Sequence, residues 1–249
     1  MKRIIILGSS GFVGKSLNDS LNTKYYKIIN ISRSSQNNFL NVIKLVNSDY
    51  IIYCLRDKNI KKSLKLFSHF KLLLKKYSKK TKILFFSSGA VYGPRYKIKR
   101  LSEKENISLK NIEKYNGYKK IYAKEKILLE KEFMKLSKEG FKVSIVRGFT
   151  FYGRHILNYD YLISKIILAV KSKKTLIINN PNIKRSYMHA DDMCRALIKI
   201  ANISSTKCPV LNLGSDKILD LNKFTKILNK KFNSKILITK HNSKKIDYY

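Results

Sequence analysis

The sequence predicts an α/β fold, in which helices flank a doubly wound parallel sheet and a small C-terminal substrate lobe follows it. Three observations point to this class. Short apolar runs rich in Ile, Val, Tyr and Phe alternate with longer segments of helical period. A glycine-rich turn lies between the first apolar run and the first helical segment. The chain has 249 residues and is 44% hydrophobic, which is enough for a large core.

The alternation assigns the elements in chain order. Strands are predicted at residues 3–7, 26–31, 50–54, 82–87, 141–146 and 209–213. Helices are predicted at residues 12–22, 41–47, 59–77, 118–138, 159–171, 190–202 and 220–231. Because helical segments separate the strands, we expect neighbouring strands to run parallel.

The turn Gly8-Ser-Ser-Gly11-Phe-Val-Gly14 predicts a dinucleotide site. Glycines at this spacing permit a tight turn, let the backbone approach a pyrophosphate and allow the helix to pack closely on the strand. The start of the helix then faces the anion. The residues expected to hold the cofactor in this turn are Gly8, Ser10, Gly11, Phe12, Val13 and Gly14.

The same stretch ends like a P-loop, in Gly14-Lys15-Ser16. That motif requires a glycine five residues before Gly14, where this chain has Ser9. The later strand ends at Cys54 and Ser87 are not acidic and offer no ligand for magnesium. The dinucleotide interpretation is therefore favoured.

The end of the second predicted strand bears on the choice of dinucleotide. An NAD site usually has a carboxylate there, which holds the ribose diol. This chain has Ser32 followed by Arg33, a hydroxyl and a guanidinium that suit a 2′-phosphate. NADP(H) is favoured over NAD, and an ordinary solvent-exposed arginine is the alternative.

The segment Phe85-Phe-Ser-Ser88-Gly-Ala-Val-Tyr92-Gly93, together with the glycine-rich turn, resembles the extended short-chain dehydrogenase/reductase superfamily. Its members are NAD(P)-dependent nucleotide-sugar epimerases, dehydratases and reductases. By this resemblance Ser88 is a catalytic serine whose hydroxyl bonds the reacting sugar oxygen. Two departures stand out: the family's small alanines against the cofactor are replaced by Cys54-Leu55-Arg56, and little chain is left for a third strand after Ser32.

The resemblance also implies a catalytic Tyr-x-x-x-Lys pair, whose two residues share a helix face. The lysine can lower the pKa of the phenol and hold the nicotinamide ribose. With this many tyrosines and lysines, about three matches are expected by chance, and three occur. Tyr122 and Lys126 are chosen because they open the long helix before the fifth strand and a Glu follows Lys126 by four residues. Tyr115 is the reserve, and Tyr161 with Lys165 comes after that strand.

On the substrate side, Arg185-Ser-Tyr-Met-His189-Ala-Asp-Asp192 resembles a family segment, which implies that Arg185 contacts the nucleotide or its diphosphate. Asp192 is expected to help start the next helix, and His189 to be a packed histidine. The predicted domain spans residues 1–249. Residues 1–150 form mainly the Rossmann-like NAD(P)-binding body, while residues 151–249 complete the sheet and form a shortened substrate lobe.

The net charge of +37 raises a second class of function, a nucleic-acid-binding protein on the same scaffold. The chain has 44 Lys but 9 Arg, and the lysines are spread over almost every predicted helix, which is typical of solvated surface. Nucleic acid is therefore an improbable partner. A third possibility is a regulator that binds NADPH without turning over a sugar.

Three scattered cysteines indicate neither a disulfide framework nor a zinc site. The first residues lack the apolar stretch of a signal peptide, and the apolar run 161–170 is broken by Ser164 and Lys165. We expect a cytoplasmic protein with no membrane span and no metal. The resemblance implies an NAD(P)-dependent oxidoreductase or epimerase of nucleotide-diphosphate sugars, acting at a 4-keto or 4-hydroxy carbon as a homodimer.

Overall fold

A computed structural model describes residues 1–32, 47–77, 80–94, 101–156, 161–178 and 184–238. The strands are β1 (Lys2–Leu7), β2 (Tyr26–Ile31), β3 (Tyr50–Tyr53), β4 (Lys82–Ser88), β5 (Lys142–Gly148), β6 (Thr150–Tyr152), β7 (Leu176–Ile178), β8 (Lys184–His189), β9 (Val210–Leu213), β10 (Ile218–Asp220) and β11 (Ile236–Ile238). The helices are α1 (Phe12–Ser20), α2 (Ile60–Tyr77), α3 (Gly117–Lys138), α4 (Leu162–Ser172), α5 (Ala190–Asn202) and α6 (Leu221–Phe232).

The main sheet has six strands in the order β2-β1-β3-β4-β5-β9, and every neighbouring pair is parallel. This confirms the predicted Rossmann-like fold class. All six predicted strands are present within two residues of their predicted ends. The predicted helix at 41–47 falls on residues 33–46, outside the described residues, apart from its last position.

The inner strands of the main sheet, β1, β3, β4 and β5, are largely buried on both faces, as a parallel sheet covered by helices requires. Ile4 and Ile6 pack on one side, with residues of α1 and α5. Ile5 and Leu7 point to the other side, towards α2 and α3. This alternation of neighbouring residues is the two-residue period of a strand.

The short strands were not predicted. Strands β10, β8 and β6 form a three-stranded sheet, and β11 pairs in parallel with β7. Four of these strands have three residues each, too few for an alternating pattern to show, and β8 is largely polar. The division into a Rossmann-like body of residues 1–150 and a later part of residues 151–249 stays a prediction. β9, which belongs to the later part, pairs with β5 in the main sheet.

The core between the sheet and the helices α2 and α3 is built on aromatic rings. Phe133 of α3 is fully buried and stacks on Phe85 of β4 with ring centroids 4.4 Å apart. Its centroid is 4.8 Å from that of Phe67 and 5.2 Å from that of Tyr53. This cluster attaches α3 to the sheet, which matters because α3 carries the predicted Tyr-Lys pair.

We expect Phe133→Ala to lower the free energy of unfolding by about 3–5 kcal/mol, because it leaves a cavity among packed rings. Phe232→Ala is the matched control, since that ring is 47% exposed at the end of α6. The control should cost less than about 1 kcal/mol. Denaturant titration of the two variants measures both values, and equal losses would contradict this account of the core.

Candidate active site

The glycine-rich turn has the shape that a dinucleotide phosphate site needs. Gly8 has a φ of +95°, and a Cβ there would lie 2.8 Å from the carbonyl carbon and oxygen of Cys54. A Cβ at Gly14 would lie 2.5 Å from the oxygen of Gly8. Both positions therefore require glycine. With no side chain there, the end of β1, the end of β3 and the start of α1 can lie close together.

The start of α1 offers free backbone donors. Gly11 is the N-cap residue and provides no side-chain cap, and the first turn has no acidic residue. The helix bonding begins where Lys15 N donates to Gly11 O at 2.9 Å. The N–H groups of Phe12, Val13 and Gly14 therefore have no partner within the helix, so the turn fits a pyrophosphate. Lys15 and Ser16, which resembled the end of a P-loop, lie inside α1.

The end of β2 lies beside this turn, as the dinucleotide interpretation requires. Gly8 N and Ser9 N both donate to the carbonyl oxygen of Ile31, at 2.8 and 3.1 Å. Ser32 follows directly and is half-buried, and Ser10 is exposed in the turn. Arg33, the residue predicted to contact a 2′-phosphate, lies outside the described residues.

Ser88 ends β4 at the same edge of the sheet. It is 8% exposed, and its Oγ accepts a hydrogen bond from Ala90 N at 3.2 Å, which caps the short 3-10 turn Gly89–Tyr92. The Ser88 side chain also hydrogen-bonds the phenol of Tyr122, and this bond acts to lower the pKa of Tyr122. Ser88 therefore both shapes the turn and contacts the predicted catalytic tyrosine.

Tyr122 and Lys126 are one turn apart on α3, so they share the face that packs on β4. Lys126 is buried, and its Nζ donates to the carbonyl oxygen of Phe86 at 2.9 Å. The same Nζ lies 5.9 Å from the centroid of the Tyr122 ring. The structure thus brings Ser88, Tyr122 and Lys126 together at one strand end.

Burial dominates the electrostatics of the pair. Desolvation raises the pKa of Tyr122 to about 12, against the opposing effect of the Ser88 hydrogen bond. Burial also lowers the pKa of Lys126. The sequence suggested that Lys126 lowers the pKa of the phenol, but here its ammonium is bonded to Phe86. The Tyr122 phenol is therefore protonated at neutral pH.

The two alternative tyrosines lie outside α3. Tyr115 precedes α3 and is buried among the residues of the 3-10 turn after β4, with Lys119 Nζ 4.6 Å from its ring centroid. Tyr115 and Lys119 do not share a helix face, because α3 begins at Gly117. Tyr161 is the N-cap residue of α4 and is 56% exposed.

Arg56 is a neighbour of Tyr122 that the sequence analysis did not assign. Its guanidinium carbon lies 4.5 Å from the Tyr122 ring centroid and 4.7 Å from that of Tyr118. Its Nε donates to Glu125 Oε2 at 3.1 Å, and Ser63 Oγ donates to the other carboxylate oxygen at 2.6 Å. The signal in the sequence was an arginine where the family has small residues.

A buried ion pair attaches α3 to the sheet below the site. Arg147 Nη2 donates to Glu130 Oε2 at 2.8 Å, and the two side chains are 3% and 4% exposed. Arg147 Nη1 also donates to Tyr92 OH at 3.0 Å, and Tyr92 OH donates to Asn212 Oδ1 at 2.7 Å. Ser87 Oγ donates to Glu130 as well. The sequence contained a hint, because Glu130 lies four residues after Lys126 on the same inner face.

The small sheet adjoins the site through Phe149. A Cβ at Gly89 would lie 3.0 Å from the Phe149 ring, and one at Gly214 would lie 3.2 Å from Phe149 Cβ and 2.9 Å from Ser186 Oγ. Arg185 is next to Ser186 on β8, where it pairs with Leu219 of β10. Its contact with a nucleotide stays a prediction.

The start of α5 contains both residues that the sequence analysis considered there. The N-cap residue is His189, whose Nδ1 accepts a hydrogen bond from Asp191 N at 3.3 Å. Asp192 lies in the first turn and pairs with Arg195. His189 is half-buried and packs edge-on against Tyr152, so it is a capping residue as well as a packed one.

Within the described ranges, no group of three or more His, Cys, Asp or Glu side chains could hold a metal ion. Nor does that part of the chain contain a helix with the length and apolar character needed to cross a membrane.

Residues 4–214 match the family model described as the NAD dependent epimerase/dehydratase family. No curated protein sequence matches the chain significantly. Solved structures do resemble it. A dTDP-glucose 4,6-dehydratase from Bacillus anthracis, in complex with NAD, has a TM-score of 0.79 and 17% identity, over 100% of this chain and 87% of that chain.

Two further structures give the same fold. A UDP-N-acetylglucosamine 4-epimerase from Bacillus cereus has a TM-score of 0.77 and 18% identity, over 100% of this chain and 89% of its own. RMD from Pseudomonas aeruginosa, complexed with NADPH, has a TM-score of 0.73 and 17% identity, over 99% and 89%.

We expect Glu130→Gln to lower the free energy of unfolding by about 3–5 kcal/mol, because it leaves the Arg147 charge buried without its partner. Glu132→Gln is the matched control: it lies two residues away on α3 and pairs with the largely exposed Lys135. That change should cost less than about 0.5 kcal/mol. Urea unfolding of both variants tests this, and similar midpoints would refute the importance of the buried pair.

Proposed function

The chain belongs to the NAD-dependent epimerase/dehydratase family, and on that premise we propose that it reduces a nucleotide-diphosphate sugar at a 4-keto carbon, using NADPH. The observation that carries the proposal is the meeting of Ser88, Tyr122 and Lys126 at the end of β4. The glycine-rich turn lies at the same edge of the sheet, where ligands bind in open α/β folds.

In the proposed reaction the Tyr122 phenol gives its proton to the carbonyl oxygen of the sugar. The Ser88 hydroxyl, which bonds the phenol, orients that oxygen and stabilises the charge that develops on it. Lys126 holds the nicotinamide ribose and returns a proton towards the tyrosine. NADPH supplies the hydride when it is bound. The carbonyl carbon gains the hydride and its oxygen the proton, which gives an alcohol.

One observation favours reduction over epimerisation. Ser32 and Arg33 replace the carboxylate that would hold the ribose of NAD. Net reduction consumes NADPH, whereas an epimerase recycles its bound cofactor.

The substrate class is proposed from the relatives and from Arg185. The similar structures include enzymes named for dTDP-glucose and UDP-N-acetylglucosamine and an epimerase solved with UDP-glucose. Arg185 is proposed to contact the nucleotide diphosphate, since a guanidinium pairs well with phosphate. The homodimer and the cytoplasmic location stay predictions from the family resemblance.

The first test is a single hydroxyl deletion. Tyr122→Phe should keep NADPH binding but lower turnover of 4-keto sugars linked to dTDP or UDP about 10²- to 10⁴-fold, because the acid is lost. Tyr115→Phe is the matched control and should retain most of the activity. Undiminished turnover in Tyr122→Phe would rule out the assignment. If the wild type binds NADPH but turns over no sugar in the panel, a regulator becomes the better interpretation.

The second test concerns the cofactor. NADPH should bind about tenfold more tightly than NADH, since a charge-assisted bond to the 2′-phosphate gives roughly that ratio. Arg33→Ala should remove the preference, whereas Arg195→Ala, an exposed arginine on α5, should leave it intact. Fluorescence titration of the wild type and the two variants with both cofactors gives the three affinity ratios. Equal affinity of the wild type for NADH and NADPH would overturn the choice of NADP.

A further inference from the structure

Arg56 lies between the two halves of the candidate site. Arg56 lies after the end of β3, two residues beyond Cys54. The backbone of Cys54 contacts Gly8 of the glycine-rich turn. The Arg56 side chain extends to α3, where the guanidinium lies over the Tyr122 ring. An arginine here is a departure from the small residues of the resembling family, and it has no part in the proposed reaction.

We propose that Arg56 is a positioning residue for Tyr122, which fixes the phenol ring from its face and favours the ionised form of the phenol. This rests on the proposed role of Tyr122. It adds a second cation to a site in which the expected cation, Lys126, is bonded to the carbonyl oxygen of Phe86.

The guanidinium is held in place from two elements. Glu125 of α3 is 1% exposed and accepts from Arg56 Nε at 3.1 Å. The same carboxylate accepts from Ser63 of α2 at 2.6 Å, and Ser63 Oγ accepts from Asp57 N at 3.1 Å. While Nε is bound to Glu125, the guanidinium carbon lies over the Tyr122 ring, within the range of a cation–π contact.

The cation is only partly neutralised. Glu125 contacts Arg56 through Nε, while the buried Nη2 has no hydrogen-bond partner in the described part of the chain. The Arg56 guanidinium carbon is 4.5 Å from the Tyr122 ring centroid, closer than the Lys126 Nζ at 5.9 Å. Arg56 is therefore the nearer positive charge.

The other groups that face the phenol act in both directions. The Ser88 hydrogen bond and Arg56 lower the pKa of Tyr122, while burial, Tyr161 and Glu125 raise it. The phenolate left after proton transfer is costly in a desolvated site, and a cation over the ring reduces that cost. Arg56 thus assists the transfer of the proton from Tyr122 to the sugar oxygen.

The test replaces Tyr122 by 3,5-difluorotyrosine, whose phenol titrates in a mild pH range, and follows it by fluorine NMR. Arg56→Met should raise the pKa of this phenol by about one unit, because the nearer cation is lost. In Arg56→Lys the pKa of the phenol should lie between the values of the wild type and of Arg56→Met. Glu125→Gln should lower the pKa, and Arg195→Met, the distant control, should leave it unchanged.

The direction of the pKa change in Arg56→Met distinguishes this proposal from a role of Arg56 in packing alone. A cavity left by Arg56→Met would admit water and lower the pKa of the phenol, so an unchanged or lowered value contradicts the proposal. If Arg56→Met does not fold, the pKa of the phenol in Arg56→Lys and in Glu125→Gln still tests the proposal. An unchanged pKa in both variants would overturn it. The titration needs no substrate. A raised pKa in a protein without sugar turnover would support the role of Arg56 while refuting the proposed reaction.

Discussion

The buried ion pair between Glu130 and Arg147 is the contact on which the candidate site depends. Two opposite charges at 4% and 3% exposure are costly to separate, so α3 is strongly held in one position on β5. The same pair binds Tyr92 and Ser87, which fixes the end of β4 and the turn after it. The surfaces that carry Tyr122 and Ser88 are thereby held together.

The rest of the site follows from the edge at which parallel strands end. β1 ends at the glycine-rich turn, β3 near Arg56 and β4 at Ser88, because parallel strands end on one side of the sheet. Glycine at position 8 lets the turn touch the strand end at Cys54. The glycine-rich turn and the proposed acid-base pair of Tyr122 and Lys126 thus lie at the same edge of the sheet, although more than a hundred residues separate them in sequence.

The sequence predicted the elements whose signal is periodic and long, and it predicted Ser88, Tyr122 and Lys126 only through family resemblance combined with context. It missed β6, β7, β10 and β11 because three residues carry no period. It also missed the contact of Arg56 with Tyr122, since pairing between a loop and a helix 66 positions away depends on tertiary packing. The net charge of +37 does not define the site, whose central groups are mostly glycines, a serine and a tyrosine.

The central claim is that these groups direct a hydride to a sugar carbon. The most direct measurement supplies NADPH with deuterium at both C4 positions of the nicotinamide together with dTDP- and UDP-linked 4-keto sugars, and locates the label by mass spectrometry and NMR. The account predicts one deuterium on C4 of a reduced sugar, with an equal amount of NADP formed. Binding of NADPH without transfer of deuterium to any of these sugars would contradict it.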